Sequence, residues 1–332
     1  MSDGAALVEE DRAIVEAGSR RRGLLLAVCA AALWATGGLG AKWLFSPLDA
    51  TTSRWLVPPL GVVIDPVVLS AARAIVATTL LWAGLAARSR EHLRVRAQDL
   101  PFLAVFGVAG LALVHFSYFK TISLTNVATA ILLEYMAPVL VLAATAVVFR
   151  RKVGWRLPVA VGASVAGCAL VAGAASGALA VSPEGLAWGL ASAVFFASYT
   201  LMGRWASTRY TPWTLLAYGL AAASIFWMVV LGGPGRVVSA LTDARTLAAV
   251  AYIAVASTIL PFGAFLAALR LLPAAEASVA STLEPVIAAA GAWALLGERL
   301  SASQIVGGGL VLLGIVVAQT ESSGDRAIPP AA

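Results

Sequence analysis

The sequence predicts an all-α membrane protein with ten transmembrane helices, arranged as two inverted five-helix repeats. Three observations predict this fold class: an apolar composition, ten long apolar segments and an internal repeat. Of the 332 residues, 60% are hydrophobic and 12% are charged, whereas a soluble domain is about 45–50% apolar and about 25% charged. Because so few charges are available to cover a surface in water, we expect the chain to be solvated by a lipid bilayer.

Ten segments are long and apolar enough to span a bilayer, which takes about 20 residues of helix. Pro, Gly or charged residues separate them. In chain order, the predicted spans are 23–45, 66–87, 99–119, 125–149, 155–173, 184–206, 211–231, 246–267, 276–296 and 301–319. The stretch 46–65 holds Pro47, Asp49 and Pro58 and is too broken to span. We expect a loop there, with a short interfacial helix around Trp55.

The distribution of Lys and Arg predicts the orientation of the chain. With the N-terminus inside, the cytoplasmic segments carry sixteen Lys and Arg residues and the external segments carry six. Since basic residues collect in cytoplasmic loops, both tails, 1–22 and 320–332, are predicted to be cytoplasmic. The net charge of +6 is explained by this bias without a nucleic-acid partner. Residues 1–22 show no apolar region with a cleavage site, so we expect the first helix to be retained in a bacterial-type inner membrane.

The sequence also repeats internally. The first span, GLLLAVCAAALWATGGLGAKW, has the pattern of the sixth, GLAWGLASAVFFASYTLMGRW. Further on, AILLEYMAPVLVLAATAVVFRRKV aligns with ASVASTLEPVIAAAGAWALLGERL, which pairs Pro138 with Pro285, 147 residues apart. Two repeats of five spans are therefore predicted, at 23–173 and 184–319. Because five is odd, the second repeat crosses the membrane in the opposite sense, an arrangement found in many secondary transporters.

The stretch ASVASTLEPVIAAAGAWALLGERLSASQIVGGGLVLLGIVV in the second half resembles the EamA repeat of the drug/metabolite transporter superfamily. The first half shares LWATGGLGAKW, Ala71-Ala72-Arg73 and EYMAP, so the resemblance covers about 23–318. It departs at Lys120, where the family has a small residue, and at Arg151, which aligns with Glu298. The resemblance implies ten helices and export or exchange of small metabolites, with amino-acid exporters, including those for aromatic amino acids, as the nearest members.

Three ionisable residues lie well inside predicted spans: Arg73, Glu134 and Glu284. Such groups usually face the interior of a helix bundle, where they pair or bind something. For Glu134, one interpretation is substrate binding or proton coupling, because burial favours the protonated form of a carboxyl group. The other is a structural carboxyl group held by Ser, Thr, Tyr or Arg73. We assign Arg73 to a structural ion pair and Glu284 to helix packing within the repeated Glu-Pro motif.

Pro138 and Pro285 lie at matching places in the middle of the fourth and ninth predicted spans. Each removes a backbone hydrogen bond and frees a carbonyl group, which makes either a hinge or a packing kink. Small residues crowd the fifth and tenth spans and predict close helix packing. These residues are Gly162, Gly167, Gly307, Gly308, Gly309 and Gly314.

The remaining candidates for substrate binding are polar and aromatic side chains. Ser278, Ser281 and Thr282 form a stripe on the ninth span that either lines a pathway or bonds helix to helix. His115 and Tyr118 share a face of the third span. Aromatic rings either pack in the core or form walls for an apolar side chain and hold an ammonium group by cation–π contact. These aromatic residues are Trp34, Tyr135, Phe196, Tyr199, Phe262 and Phe265.

The leading functional hypothesis is a secondary transporter, monomeric or dimeric, with a central cavity for a small molecule lined by spans 1, 3, 4, 6, 8 and 9. No phosphate-binding loop indicates direct use of ATP. An intramembrane enzyme is the alternative, but no His-Glu-x-x-His, Gly-x-Ser-x-Gly or Cys-His pattern is present. A scaffold or sensor would need polar domains, and no segment is long enough. Two histidines and the distant Cys29 and Cys168 predict no metal, cofactor or disulfide.

Overall fold

The computed structural model describes residues 3–44, 46–48, 59–125, 127–148, 181–281, 283–297 and 301–322, with scattered residues between 155 and 170. Over these residues the secondary structure is helical, without strands. Six helical stretches are long and apolar enough to cross a membrane: Gly18–Gly40, Pro66–Arg88, Ala97–Leu124, Pro183–Ala206, Pro212–Val230 and Ala244–Leu271. Shorter apolar helices accompany them. The chain is therefore a multi-pass helical membrane protein.

Fourteen α-helices lie within the described residues. In chain order they are α1 Asp3–Leu44, α2 Pro66–Arg88, α3 Leu100–Gly107, α4 Leu113–Leu124, α5 Val127–Glu134, α6 Ala137–Val148, α7 Pro183–Ala206, α8 Pro212–Val230, α9 Gly235–Leu241, α10 Ala244–Ala254, α11 Leu260–Leu271, α12 Ala274–Ala280, α13 Leu283–Leu296 and α14 Ala302–Ser322. Two short 3-10 turns, Arg90–Leu93 and Ala97–Asp99, lie between α2 and α3. Helix α1 packs against α11 and α13, α4 against α7, and α2 against α8.

Polar residues followed by proline mark where several spans begin. Asp65 accepts hydrogen bonds from the backbone N–H groups of Val67 and Val68, at 2.9 and 3.2 Å, and Pro66 opens α2. Ser182 caps α7 and Thr211 caps α8 in the same way, each again followed by proline. The side chain satisfies a free backbone N–H, while proline occupies a position that needs no N–H donor.

Most predicted spans match the helices to within a few residues. Helix α1 differs, because it begins at Asp3 and not at residue 23. Its N-terminal sequence is rich in Ala, Glu and Arg, which are strong helix formers and extend the helix beyond the apolar segment. Most of the fifth predicted span, 155–173, lies outside the described residues, as does the predicted interfacial helix around Trp55.

Two predicted spans are broken helices. The fourth is divided into α5 and α6 at Tyr135 and Met136, and the ninth is divided into α12 and α13 after Ala280. Pro138 and Pro285 therefore lie in the first turns of α6 and α13 and not in the middle of continuous helices. Proline is tolerated in a first turn, because the N–H that it lacks has no partner within the helix there.

Two other spans each contain a π-helical turn. Val108–Ala112 joins α3 to α4, and Val255–Ile259 joins α10 to α11. Their starting points are 147 residues apart (255 minus 108), which is the shift that aligns the sequence repeats. Such turns often mark functional sites, and both of these spans contribute to the cavity described below.

Candidate functional site

A cavity of about 540 Å³ lies between the helices. Residues of α1, α2, α4, α5, α7, α10, α11 and α13 line it, together with residues of the loop before α2 and Ser257 of a π turn. Lys42, Ser46 and the nearly fully exposed Val63 place its mouth at the end of the bundle where α1 ends and α2 begins. Glu134 and Phe196 lie on its inner wall. The cavity therefore reaches from one surface of the bundle to residues in the middle of the spans.

Aromatic rings build one wall of the cavity around Trp34. The centroid of its ring lies 5.7 Å from that of Phe196, 5.0 Å from that of Phe262 and 5.4 Å from that of Phe265. The first two pairs are edge-to-face, an arrangement that aromatic rings prefer. The Trp34 Nε1 atom is buried and has no hydrogen-bond partner among the described residues. The wall is therefore a rigid apolar surface that carries one free N–H donor.

Tyr199 and Phe265 support this wall from behind. Both are fully buried, and neither lines the cavity. The Tyr199 hydroxyl donates to the carbonyl oxygen of Phe262 at 3.2 Å, which holds the backbone of α11 against α7. Their role in the structure is to position the rings of Phe196 and Phe262.

His115 and Tyr118 line the cavity from α4. The Nδ1 atom of His115 lies 2.5 Å from the carbonyl oxygen of Leu111, so this nitrogen carries the proton and donates. The ring of His115 packs 4.6 Å from that of Phe262, and its Nε2 atom is buried without a partner in the described part of the chain. The face of the third span that His115 and Tyr118 share, as their spacing predicts, is therefore a face of the cavity.

Glu134 is the last residue of α5, where the fourth span breaks, and it lines the cavity. The hydroxyl of the fully buried Ser192 on α7 donates to Glu134 Oε2. Among the described residues, no Lys or Arg lies within ion-pair distance of this carboxyl group. Glu134 therefore presents a carboxyl group to the cavity that is positioned by a neutral donor.

Glu284 lines the cavity from the break in the ninth span, and Tyr135 connects the two breaks. The hydroxyl of Tyr135 lies 2.5 Å from the carbonyl oxygen of Ser281 and 2.8 Å from Glu284 Oε2. Because Pro285 has no backbone N–H, the Ser281 carbonyl, four residues earlier, lacks the usual α-helical hydrogen bond from residue 285. That carbonyl oxygen also accepts from the backbone N–H of Glu284 at 3.0 Å, so the Tyr135 hydroxyl gives it a second hydrogen bond, from the first half of the chain.

Arg73 lines the cavity from α2, although its side chain is fully buried. Its Nη1 atom donates to Thr258 Oγ1 at 2.8 Å, and its guanidinium lies 5.7 Å from the centroid of the Phe119 ring. The ion pair expected for Arg73 does not occur within the described residues. Helix α2, the second span, therefore also lines the cavity, in addition to the predicted spans 1, 3, 4, 6, 8 and 9.

The structure brings many of the predicted site residues together. Those that line the cavity are Trp34, Arg73, His115, Tyr118, Glu134, Phe196, Phe262 and Glu284. Those that lie outside its lining are Tyr135, Tyr199, Phe265, Ser278 and Ser281. Pro138 is buried away from the cavity. Thr282 and the side chain of Pro285 lie outside the described part of the structure.

Sequence reasoning missed Lys42, Phe119 and Ser257, which also line the cavity. Lys42 carries a signal that points to it, because it is the repeat mate of Arg204 in the segments that align the first and sixth spans. Phe119 follows the candidate Tyr118 directly, but its side chain reaches the cavity only because α4 turns this face toward α2. Nothing in its local sequence distinguishes Ser257.

At the opposite end of the bundle, side chains tie α1, α7, α11 and α12 together. Arg20 on α1 forms an ion pair with Glu276 on α12. Arg204 Nη1 on α7 donates to the carbonyl oxygen of Leu269 on α11 at 2.7 Å. These contacts join helix ends at the end of the bundle away from the mouth of the cavity.

A multi-pass helical bundle with a partly polar central cavity is an architecture typical of membrane transport proteins. The profile of the EamA-like transporter family matches residues 21–173 and again residues 183–320. The chain therefore belongs to the EamA-like transporter family, as its motifs predict.

Proteins of similar sequence support this assignment. An uncharacterized inner membrane transporter, YicL, of Salmonella typhimurium is 25% identical over 92% of this chain and 97% of that protein. A probable terminal-alkyne amino-acid exporter of Streptantibioticus cattleyicolor is 26% identical over 78% of this chain and 85% of its own length. A crystal structure shares the fold, with a TM-score of 0.62 at 20% identity over 92% of this chain and 99% of that one.

Proposed function

We propose that the protein is a secondary transporter that moves amino acids across the inner membrane, by export or facilitated exchange. The observation that carries this proposal is the central cavity, where a carboxyl group, a guanidinium group and an aromatic wall meet at the depth of the spans. Ligand sites of this kind are mostly apolar, with a few polar groups that fix orientation. The relatives above are named as transporters, and we propose no catalytic reaction.

Alternating access is the transport mechanism that we propose. The cavity has its mouth at one end of the bundle, and the contacts of Arg20 and Arg204 join helix ends at the other end. Broken helices at a central site are typical of transporters in which inverted repeats exchange conformations. The double match of the family profile and the π turns 147 residues apart support two such repeats. In the orientation predicted from the basic residues, this is the outward-facing state.

An amino acid is the substrate class that the lining supports. The ring wall of Trp34, Phe196 and Phe262 suits an apolar or aromatic side chain, and Glu134 suits an ammonium group. The likeness to a protein named as an amino-acid exporter adds to this argument.

Transport by the purified full-length protein in liposomes tests the proposal. We expect uptake of at least one labelled amino acid above the level of protein-free liposomes, from a panel that also contains sugars, nucleosides and organic acids. If only another class of molecule is transported, the proposed substrate class is wrong. A panel without any flux would overturn the transporter assignment.

Glu134→Gln separates proton coupling from substrate binding. If Glu134 carries a proton, flux driven by a pH gradient loses its pH dependence in the variant, because an amide does not titrate. If Glu134 binds the ammonium group, flux falls at every pH by about tenfold or more, the value of a hydrogen bond to a charged group. Glu91→Gln is the matched control, since Glu91 is exposed on a 3-10 turn outside the cavity. An unchanged rate and pH profile in Glu134→Gln would exclude both roles.

A further inference from the structure

The guanidinium of Arg73 is satisfied on one side only. Nη1 donates to Thr258, whereas Nε and Nη2 are both buried and have no hydrogen-bond partner among the described residues. A buried charge without a partner is strongly unfavourable, and inside a membrane such a group is by default a functional candidate. The Phe119 ring contact is a weaker compensation than a carboxylate would be.

The two free nitrogens have a specific geometry. Nε and Nη2 lie on the same edge of the planar guanidinium, and their N–H bonds point the same way. This edge donates two parallel hydrogen bonds to the two oxygens of one carboxylate. Thr258 holds Nη1, on the far side, and no group of the described residues forms a hydrogen bond with this edge.

The carboxyl groups of the cavity do not fill this edge. Glu134 is held by Ser192, and Glu284 is held by Tyr135. Neither lies within ion-pair distance of Arg73. Arg73 and Phe119 both line the cavity, and the guanidinium lies over the Phe119 ring. Because Nε and Nη2 are buried, a ligand in the cavity contacts them only after the lining side chains shift.

We propose that Arg73 binds the carboxylate of the transported substrate through Nε and Nη2, with Thr258 as its positioning residue. This inference rests on the proposed transport function and assigns the recognition of the substrate's carboxylate to Arg73. A zwitterionic amino acid then lies with its carboxylate toward Arg73 and its ammonium group toward Glu134. The formal charges of the two side chains complement those of such a substrate.

Matched substrate analogues test this with the wild-type protein in liposomes. The amino acid with the highest flux in the panel is compared with its amine, which lacks the carboxylate, and with its amide, which keeps the shape without the charge. We expect both analogues to compete about 10- to 100-fold more weakly than the amino acid, because they lose hydrogen bonds to a charged group. Equal competition by the amine would overturn the inference and leave the transporter assignment intact. Flux of amines alone would overturn it as well, and a panel without any flux would overturn both.

Variants of Arg73 provide a second measurement. Arg73→Gln should lose the preference for the amino acid over its amine, and Arg73→Lys should keep only part of it, since Lys cannot donate two parallel bonds from a planar edge. Thr258→Val should weaken the preference by freeing Nη1. Arg270→Gln, an exposed change at the end of α11, should leave it unchanged. Folding is followed by gel filtration in detergent. A folded Arg73→Gln protein with the wild-type preference contradicts the proposal, and if that variant does not fold, the wild-type analogue series decides alone.

Discussion

Single glycines set the distance between packed helices. A Cβ atom on Gly107 would lie 2.3 Å from the carbonyl oxygen of Gly219 and 2.7 Å from the Cβ atom of Ala222. The obstacle is backbone, which cannot turn aside as a side chain can. In a membrane, small residues of this kind let helix backbones approach closely. Gly167 has the same relation to the Gly307 carbonyl, at 2.5 Å, which agrees with the packing role predicted for it, whereas nothing lies within 4 Å of a Cβ atom at Gly162 or Gly309.

Gly107→Ala should therefore lower the thermal midpoint of the purified protein. Overpacking of a close contact is unfavourable by about 1–3 kcal/mol, and here it would separate α3 from α8. Gly84→Ala is the matched control, because nothing lies within 4 Å of a Cβ atom at that position and Ala favours a helix over Gly. We expect the control to keep or raise the midpoint. Equal midpoints for the two variants would show that the contact is not strained.

At the scale of elements, the two broken spans depend on each other. The Tyr135 hydroxyl, at the break of the first, reaches the Ser281 carbonyl and Glu284 at the break of the second. A hydroxyl group has one proton and can donate to only one of these two groups. If it donates to the Ser281 carbonyl, its contact with Glu284 is either a hydrogen bond accepted from a protonated carboxyl group or a weak contact. This contact joins the halves at the depth of the cavity.

Tyr135→Phe should destabilise the protein by about 1–3 kcal/mol, since it removes the hydrogen bond between Tyr135 and the buried Glu284 carboxyl group. It should also change the transport rate, because the breaks are the elements that we expect to move. Thermal midpoint and flux measure the two effects. Tyr252→Phe is the control, as it removes a longer, partly exposed bond of 3.2 Å to the Thr36 carbonyl. A Tyr135→Phe protein with the midpoint and the flux of this control would contradict a coupling role.

The loop between α2 and α3 is positioned by a second group of contacts. The hydroxyl of Tyr210 donates to Asp99, and that of Tyr218 donates to the Leu93 carbonyl oxygen at 2.9 Å. Desolvation and the hydrogen bond to Asp99 raise the pKa of Tyr210 above its usual value. The hydroxyl therefore stays protonated and remains a donor throughout the neutral range.

At the scale of the whole molecule, the direction of the cavity follows from the predicted orientation. Ser46 lies at the mouth of the cavity, and Thr208 is exposed just after α7 at the opposite end. If the basic residues are cytoplasmic, the mouth faces outward. Cys29, which is exposed, and Cys168 are replaced by Ser to give a background free of cysteine.

In this background, Ser46→Cys should react with a membrane-impermeant thiol reagent added to whole cells. Thr208→Cys should react only in inverted vesicles. The opposite pattern would show that the orientation is the reverse of the predicted one. Reaction of both cysteines from the same side would show that the chain does not cross the membrane an odd number of times between these two positions. Protection of Ser46→Cys by a transported amino acid would support binding in the cavity.

Much of the fold follows from local sequence. Long apolar segments and polar-proline starts such as Asp65-Pro66 are sufficient to place the spans, because a bilayer requires each helix to satisfy its own backbone. The helix breaks after Glu134 and Ala280 do not follow from the local sequence alone. Proline weakens the helix there, but the break is stable because Tyr135 crosses to the other half. The helix start at Asp3 was missed because hydropathy does not register a polar helix.

The sequence by itself determined that this protein lives in a membrane, where its spans lie and to which family it belongs, because hydrophobicity, proline and repeat motifs act over short distances. It also marked Arg73, Glu134 and Glu284 as unusual, since charge is unfavourable in a membrane. Only the tertiary structure decided their partners. Arg73 donates a hydrogen bond to Thr258, which lies 185 positions away in the sequence, and no carboxylate of the described chain reaches its free edge. Such partners depend on how distant helices pack, which no local pattern encodes.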